Sequence, residues 1–535
     1  MSSGEAPNPR ATLELEADVL VIGGGPAGTW AACNAAAAGR SVILADKGFC
    51  GSSGATAAAG TTVWYVDPDP ATRRRSMQQR EAMGGYLADP AWMVRVLDRT
   101  YDAIHELEAW QYPFPVDAEG APQRISLQGP EYMRLMRKRV KQAGCRILDH
   151  SPALELLVDE SGAVAGAAGV QRQKGGTWLV WAKAVVIATG GCAFLSRALG
   201  CNVLTGDGHL MAAEIGADFS GMEFSAAYAI STDFGSVTKT AFYSWASFTY
   251  ADGSVVPGAG SERGRSVIAK TLQTQPVFCR IDRADAAERE AMRFAQPNFF
   301  LPFDRMGIDP FTQRFPVTLR LEGTVRGTGG LRIVDESCST SVPGLYAAGD
   351  AATRELICGA FTGGGSHNAA WAMSSGTWAG RGAADYAGQQ TRAPRARRAG
   401  GAGLASGRHS ALDPATLIRR VQDEVFPTQK NYFRSAGRLV ESLDHLDRLW
   451  LCARAADAAS PEQAVKTREA VSMLAVARWM YRSALARTET RGMHRREDHA
   501  ATDPAQHHYL TVGGLDEVWT ASRAAPTQRV EDLAA

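Results

Sequence analysis

Gly23, Gly25 and Gly28 stand at the spacing Gly-x-Gly-x-x-Gly, with Ala27 inside the turn. A glycine at the first position permits a tight turn, one at the second lets backbone approach a pyrophosphate, and one at the third lets a helix pack closely on the preceding strand. Asp46 lies about twenty residues further on, where a carboxylate accepts from a ribose hydroxyl, and Lys47 follows it. The chemistry read from these residues is the cradling of a dinucleotide. The spacing alone does not separate a flavin from a nicotinamide dinucleotide.

The elements that must position these residues follow in order. Residues 17–22 (ADVLVI) form a short β-branched apolar run of the kind buried in a parallel sheet, residues 26–38 an Ala-rich helix, and residues 41–46 (SVILAD) a second strand. Further on, residues 183–191 (KAVVIATGG) predict a strand ending in Ala188, Thr189 and Gly190, residues 205–208 read TGDG around Asp207, and residues 344–350 (GLYAAGD) predict a strand delivering Asp350. These resemble the late motifs of two-domain FAD proteins. GAGLASG at 401–407 follows Arg397 and Arg398 rather than a strand, so it reads as linker and no NAD(P) domain is expected.

Composition bounds the remaining possibilities. The 535 residues carry 57 Lys plus Arg against 56 Asp plus Glu, a formal charge of +1, which argues against nucleic acid or an anionic membrane surface as the main partner. The 55 glycines are clustered and not at every third position, which excludes collagen. The nine cysteines are scattered without a Cys-x-x-Cys, as expected of a reducing, cytoplasmic compartment, with no disulfide framework and no intrinsic iron–sulfur or zinc site. His494, His499, His507 and His508 lack zinc-like spacing, so no metal is expected. No signal peptide is read in MSSGEAPNPR. Gly23, Gly24, Gly25 and Pro26 interrupt residues 19–39, the one stretch that imitates a membrane span, so no span is expected.

Together with MEF at 222–224, VPGLYAAGD at 342–350, GGGSH at 363–367 and TETRGMHRRED at 488–498, the chain resembles the flavoprotein family of fumarate reductase, succinate dehydrogenase, L-aspartate oxidase and adenylylsulfate reductase over nearly its whole length. The resemblance implies FAD and an α/β fold: a Rossmann-like FAD-binding domain in two parts (1–223 and 326–390), an inserted α+β capping domain (224–325), and a C-terminal helical domain (411–490) reached by a linker (391–410) and followed by a tail (491–535). Two helix starts stand without the family: Asp413-Pro414 and Ser460-Pro461 are good N-cap and N1 pairs. Leu439, Leu443, Leu446 and Trp450 form one apolar stripe.

The resemblance also implies a clamp of two Arg and two His on a dicarboxylate, and here the sequence departs. Ala227-Tyr228-Ala229 stands where a His-Pro-Thr is expected, Phe242 at the cap Arg, Val325 beside Arg326 at the second His, and Thr362 at the second Arg. Because charge-assisted bonds contribute roughly 1.5–3 kcal/mol each, a site without them holds a dianion poorly. The expected substrate is therefore uncharged or aromatic and not a simple dicarboxylate, with Tyr243 and Trp245 beside Thr362 in its pocket. Gly54, within Ser53-Gly54-Ala55-Thr56, cannot form the covalent bond that some members make through a His, so FAD is expected to be noncovalent. His367, Arg326 and Tyr228 are the catalytic candidates, and the helix start at Ser366 faces the flavin in family members.

The reading is an FAD-dependent oxidoreductase performing two-electron oxidation or reduction of an organic substrate, with oxygen or a redox protein completing the cycle. Two alternatives remain open at this level: an electron-transferring flavoprotein subunit working with a separate iron–sulfur or other redox partner, and a flavin-binding scaffold without turnover.

Overall fold

The computed structural model describes residues 12–117, 119–238, 241–261, 264–361, 366–390, 396–404, 413–456 and 460–533. At its centre the strand Leu13–Ile22 lies parallel between Val42–Ala45 and Thr177–Ile187. The short strand Leu345–Ala347 returns to the end of Thr177–Ile187, pairing Leu345 with Val185 and Ala347 with Ile187. All these strands end at one edge, so the turns carrying Gly23, Ala188 and Asp350 converge there, where ligands bind to parallel α/β sheets.

Helix Pro26–Ala37 leaves the first turn and crosses the long helix Ser366–Gln389. The crossing is tight because Gly376 and Gly380 have no side chain: a Cβ there would lie 2.4 Å from the Ala27 carbonyl oxygen and 2.3 Å from that of Ala31. One edge of the sheet is closed by Ala396–Arg398, antiparallel to Ala153–Asp159. The Arg-rich segment expected as pure linker thus contributes a short edge strand.

A separate four-stranded antiparallel sheet, in the order Tyr228–Thr232, Phe315–Leu321, Val277–Arg280, Ser247–Thr249, carries its own core of Ile230, Phe242, Phe248, Phe299, Phe300 and Phe303. Most aromatics of the capping segment are therefore packing residues.

Helices Pro414–Val425, Ala436–Ala453 and Pro461–Ala486 form the helical region. The Asp413 carboxylate accepts from the Thr416 amide at 2.9 Å, and the Ser460 hydroxyl from the Gln463 amide at 3.2 Å, as the sequence predicts. Leu439, Leu443, Leu446 and Trp450 are all buried. The tail then folds as a hairpin, His508–Gly513 with Trp519–Ala524, added to Phe219–Ser220. Docking the hairpin there draws residues 487–498 back across the molecule toward the converging turns.

Candidate functional site

A cavity of about 1240 Å³ begins at the glycine-rich turn and ends among side chains of the cap, the helical region and the tail. At its first end Gly23 has φ +113°, and a Cβ there would lie 2.2 Å from the Ala188 carbonyl oxygen. A Cβ on Gly28 would lie 1.8 Å from the Gly23 carbonyl oxygen, whereas Gly25 has no atom within 4 Å of such a position and opens onto the cavity. Two glycines are thus required by close packing and the middle one by the space it leaves. That is the cradle a pyrophosphate needs, and the residues fit a dinucleotide.

Ala27, Asp46, Lys47, Ser53, Gly54, Ala55, Thr56, Ala188, Thr189, Gly190, Asp207, Asp350 and Ser366 line the same cavity, so this part of the expected set is brought together. Asp46 also braces the loop: its oxygens accept from the Gly24 amide at 2.6 Å, the Gly48 amide at 2.7 Å and the Ser53 hydroxyl at 2.9 Å. Lys47 lies 2.7 Å from Asp207 and 2.6 Å from Glu469. Burial, which alone would lower its pKa, is outweighed by these carboxylates, and the ammonium is held charged. Asp350 is ion-paired to the fully buried Arg354, which also donates to the carbonyls of Thr324, Val325 and Gly327. Arg354 therefore ties the returning-strand turn to the segment that presents Arg326.

The far end of the cavity differs from the sequence expectation. Phe242, read as standing in the place of a cap arginine, is packed in the cap core 5.2 Å from the Phe299 ring. Among the described residues, the cap cation that reaches the cavity is Arg265, the first residue of helix Arg265–Thr271. Its guanidinium donates to the carbonyls of Tyr228 at 3.2 Å and Ser261 at 2.8 Å, and its buried Nε has no partner among the described residues. Arg326 and Arg495 line the same end, with Glu322 as its carboxylate. Glu322 accepts from the Thr238 hydroxyl at 2.8 Å and lies 3.8 Å from Arg326. Burial lowers the proton affinity of Arg265; Tyr432 and Glu322 oppose that, and Arg495 and Arg326 reinforce it. The expectation that the cap supplies no arginine to the site, with Phe242 in its place, is corrected on this point.

Three further candidates shift. The Tyr228 hydroxyl donates to the carbonyl of Val425 at 2.7 Å, so its phenol is spent as a packing bond although the residue lines the cavity, and burial raises its pKa. His367 is buried with its ring 4.8 Å from that of Trp64, and the cavity is lined by its neighbours Ser366, Asn368 and Ala369 instead. Asn368 donates to the Val325 carbonyl at 2.7 Å, and its buried Oδ1 has no partner among the described residues. Tyr243 is in the cap core, while Trp245 does line the cavity, its indole donating to Glu288 at 2.7 Å. Thr362 lies outside the described residues. Arg265, Arg495 and Asn368 were missed by sequence reasoning; for Arg495 the available signal was a second arginine directly before Arg496, one more than the buried tail motif uses.

Behind the cavity lies a different set of charges. Glu223 and Arg487 meet at 2.9 Å, Arg487 meets Glu489 at 2.9 Å, and Arg491 meets Glu489 at 2.6 Å. Arg434 donates to the Glu223 carbonyl at 2.7 Å and to Asn431 at 2.8 Å, and burial pushes its pKa down to about 10. His494 is held neutral by burial, so its Nδ1 accepts from Arg434 at 2.7 Å and its Nε2 donates to the Arg487 carbonyl at 3.0 Å. These contacts tie residues 487–496 to Glu223 and Arg434 and hold the tail motif in place.

Residues 18–229 match the FAD binding domain family, and residues 425–527 match the fumarate reductase flavoprotein C-terminal family. An L-aspartate oxidase of Streptomyces coelicolor is 28% identical over 91% of this chain and 90% of its own length. A urocanate reductase of Eggerthella lenta is 28% identical over 40% of this chain and 41% of its own. A solved variant of the E. coli quinol fumarate reductase shares the fold, with a TM-score of 0.81 at 19% identity over 97% of this chain and 99% of that one.

Proposed function

The chain belongs to the FAD-dependent flavoprotein family of fumarate reductase, succinate dehydrogenase, L-aspartate oxidase and adenylylsulfate reductase and is an FAD-dependent oxidoreductase; from that premise we propose that it performs a two-electron oxidation or reduction of an organic substrate with an aromatic or otherwise apolar body, and not of a simple dicarboxylate. The observation that carries this reading is the single cavity joining the dinucleotide cradle to an end walled by Tyr228, Tyr432 and Trp245. When bound, FAD supplies the two-electron exchange. Gly54 has no side chain to bond it, so the cofactor is held noncovalently by the cradle.

The chain's own groups divide the remaining work. Arg265 sets a positive charge where negative charge develops on the reacting carbon, in a water-poor site where such a charge acts strongly. Glu322, with Arg326 3.8 Å away, takes or returns the proton at its carboxylate. The rings of Tyr228 and Trp245 exclude water. Val325 and Thr362 carry no charge at two positions of the family clamp, which supports the exclusion of small dicarboxylates. The substrates in the relatives' names, the dicarboxylates aspartate and fumarate and the monocarboxylate urocanate, favour a substrate with an anionic group over a wholly uncharged molecule. Among the described residues no helix is long and apolar enough to cross a membrane, and the free cysteines suit the cytoplasm. Oxygen or a separate redox protein completes the electron cycle.

Acid precipitation of the purified protein is expected to release its flavin into the supernatant, and an anaerobic stopped-flow screen is expected to find the fastest flavin bleaching or reoxidation with aromatic α,β-unsaturated acids or their saturated products. Flavin retained in the pellet, or succinate and fumarate matching the best aromatic compound, overturns the reading.

A further inference from the structure

Four arginines leave the segment between residues 487 and 496, and three of them have carboxylate partners: Arg487 with Glu223 and Glu489, Arg491 with Glu489, and Arg496 with Asp498. Arg495 is the exception. It lines the cavity, and among the described residues its guanidinium has neither an ion pair nor a side-chain hydrogen bond. What holds it is a ring: its guanidinium carbon sits 4.6 Å from the centroid of Tyr432. Tyr432 is 4% exposed and meets Tyr228 edge-on at 5.6 Å. A guanidinium flat on an aromatic face keeps its N–H edges free to point away from the ring.

We propose that Arg495 is the specificity-determining anion anchor of the substrate site, and that the substrate carries one carboxylate, seated on Arg495, with its apolar body along the rings of Tyr432 and Tyr228. The proposal rests on the preceding reading of the cavity as a substrate site beside the flavin, and names the substrate class that site takes. The accounting at this end of the cavity selects one anion. Arg265 spends donors on the carbonyls of Tyr228 and Ser261, and Arg326 lies 3.8 Å from Glu322. Among the described residues the fork of Arg495 has no ion pair and no side-chain hydrogen bond, and such a fork matches a carboxylate bidentately. Arg265, Arg326 and Arg495 crowd this end against Glu322, and the mutual effect of the guanidiniums on Arg265 falls in the direction an added anion relieves. The anchor comes from the tail, which the hairpin docking of residues 508–524 holds in place.

The test titrates the FAD-loaded full chain with cinnamate and with its neutral isostere cinnamamide, reading the flavin absorbance change, which does not depend on turnover. Wild type is expected to bind cinnamate about tenfold to hundredfold more tightly than cinnamamide. In Arg495→Gln that preference is expected to vanish through weaker cinnamate binding, with cinnamamide affinity and FAD content unchanged; Arg495→Lys is expected to restore part of it. Where a ligand turns over, R495Q is expected to raise KM and leave kcat in place. Equal affinity for both ligands in wild type, or a preference that survives in R495Q, overturns the anchor while leaving the substrate-site reading intact. Absence of any spectral change with either ligand in FAD-loaded wild type overturns both. Where a variant fails to fold, equal affinity for the two ligands in wild type still overturns the anchor.

Discussion

Arg487 and Arg495 leave one short segment in opposite directions, and their surroundings differ in kind. Arg487 is fully buried between Glu223 and Glu489, and its remaining donors reach the carbonyls of Gln506 and His508 at 3.0 and 2.8 Å. Arg495 is half-buried on a tyrosine face and turned to the cavity. Arg265 stands between the two: it lines the cavity without a carboxylate partner among the described residues, but it donates to the carbonyls of Tyr228 and Ser261. A buried cation whose every donor is met fixes architecture, because removing it strands its partners. A cation held by rings and carbonyls, with donors left over, is arranged for something that arrives. The same residue type thus does structural and chemical work a few residues apart, and the neighbouring carboxylates tell the two apart.

The sharpest way to break the contrast is to remove the architectural member. Arg487→Met leaves Glu223 and Glu489 buried without their shared partner, and the expected cost is about 3–5 kcal/mol of stability. Denaturant unfolding of the flavin-loaded protein measures it. Glu223→Gln on top of R487M is expected to recover part of that loss, because the stranded charge is then gone. A variant with unchanged stability would place Arg487 among the dispensable surface cations.

The opposite outcome is expected at Arg265. Arg265→Gln removes the charge and shortens the side chain while keeping a polar amide beside the carbonyls of Tyr228 and Ser261, so the stability loss is expected to stay well below that of R487M. The rate of flavin reduction or reoxidation by the best substrate is expected to fall about 10²–10³-fold, equivalent to roughly 2.7–4 kcal/mol in the barrier. Stopped-flow kinetics at saturating substrate is the measurement, and a rate within threefold of wild type would remove Arg265 from the site.

The sequence was legible where backbone itself imposes the pattern. Gly23, Gly25 and Gly28 are dictated by carbonyl contacts and open space a few ångströms away, and these demands are local to one turn. The cavity's far end depends on side-chain direction, which spacing does not carry. His367 and Asn368 are adjacent, yet one residue along a helix turns the side chain by about 100°, so one packs on Trp64 and the other lines the cavity. Tyr228 lines the cavity as expected, but its hydroxyl is bonded to the helical region at Val425. Arg495 is legible only once the tail is known to fold back, because nothing between residues 411 and 490 announces that return.

The smallest expected effect tests the position where sequence and structure part most clearly. Phe242 was read as standing where the cap arginine of the family clamp belongs. In the fold it is 5% exposed, with its ring edge-on to Phe299 and 6.0 Å from Phe300. A residue in that setting packs the cap core. Phe242→Leu keeps the site apolar and removes a few carbons, so it is expected to lower stability by about 1 kcal/mol. Substrate affinity and flavin kinetics are expected to stay within twofold, since the cap sheet still presents Tyr228 and Arg265 to the cavity. A selective change in substrate preference with stability preserved would place Phe242 in the pocket wall and weaken the assignment of the cap cation to Arg265. Stability loss without a kinetic change would leave the cap with one residue doing each job: Phe242 holding the sheet together, and Arg265 facing what binds beneath it.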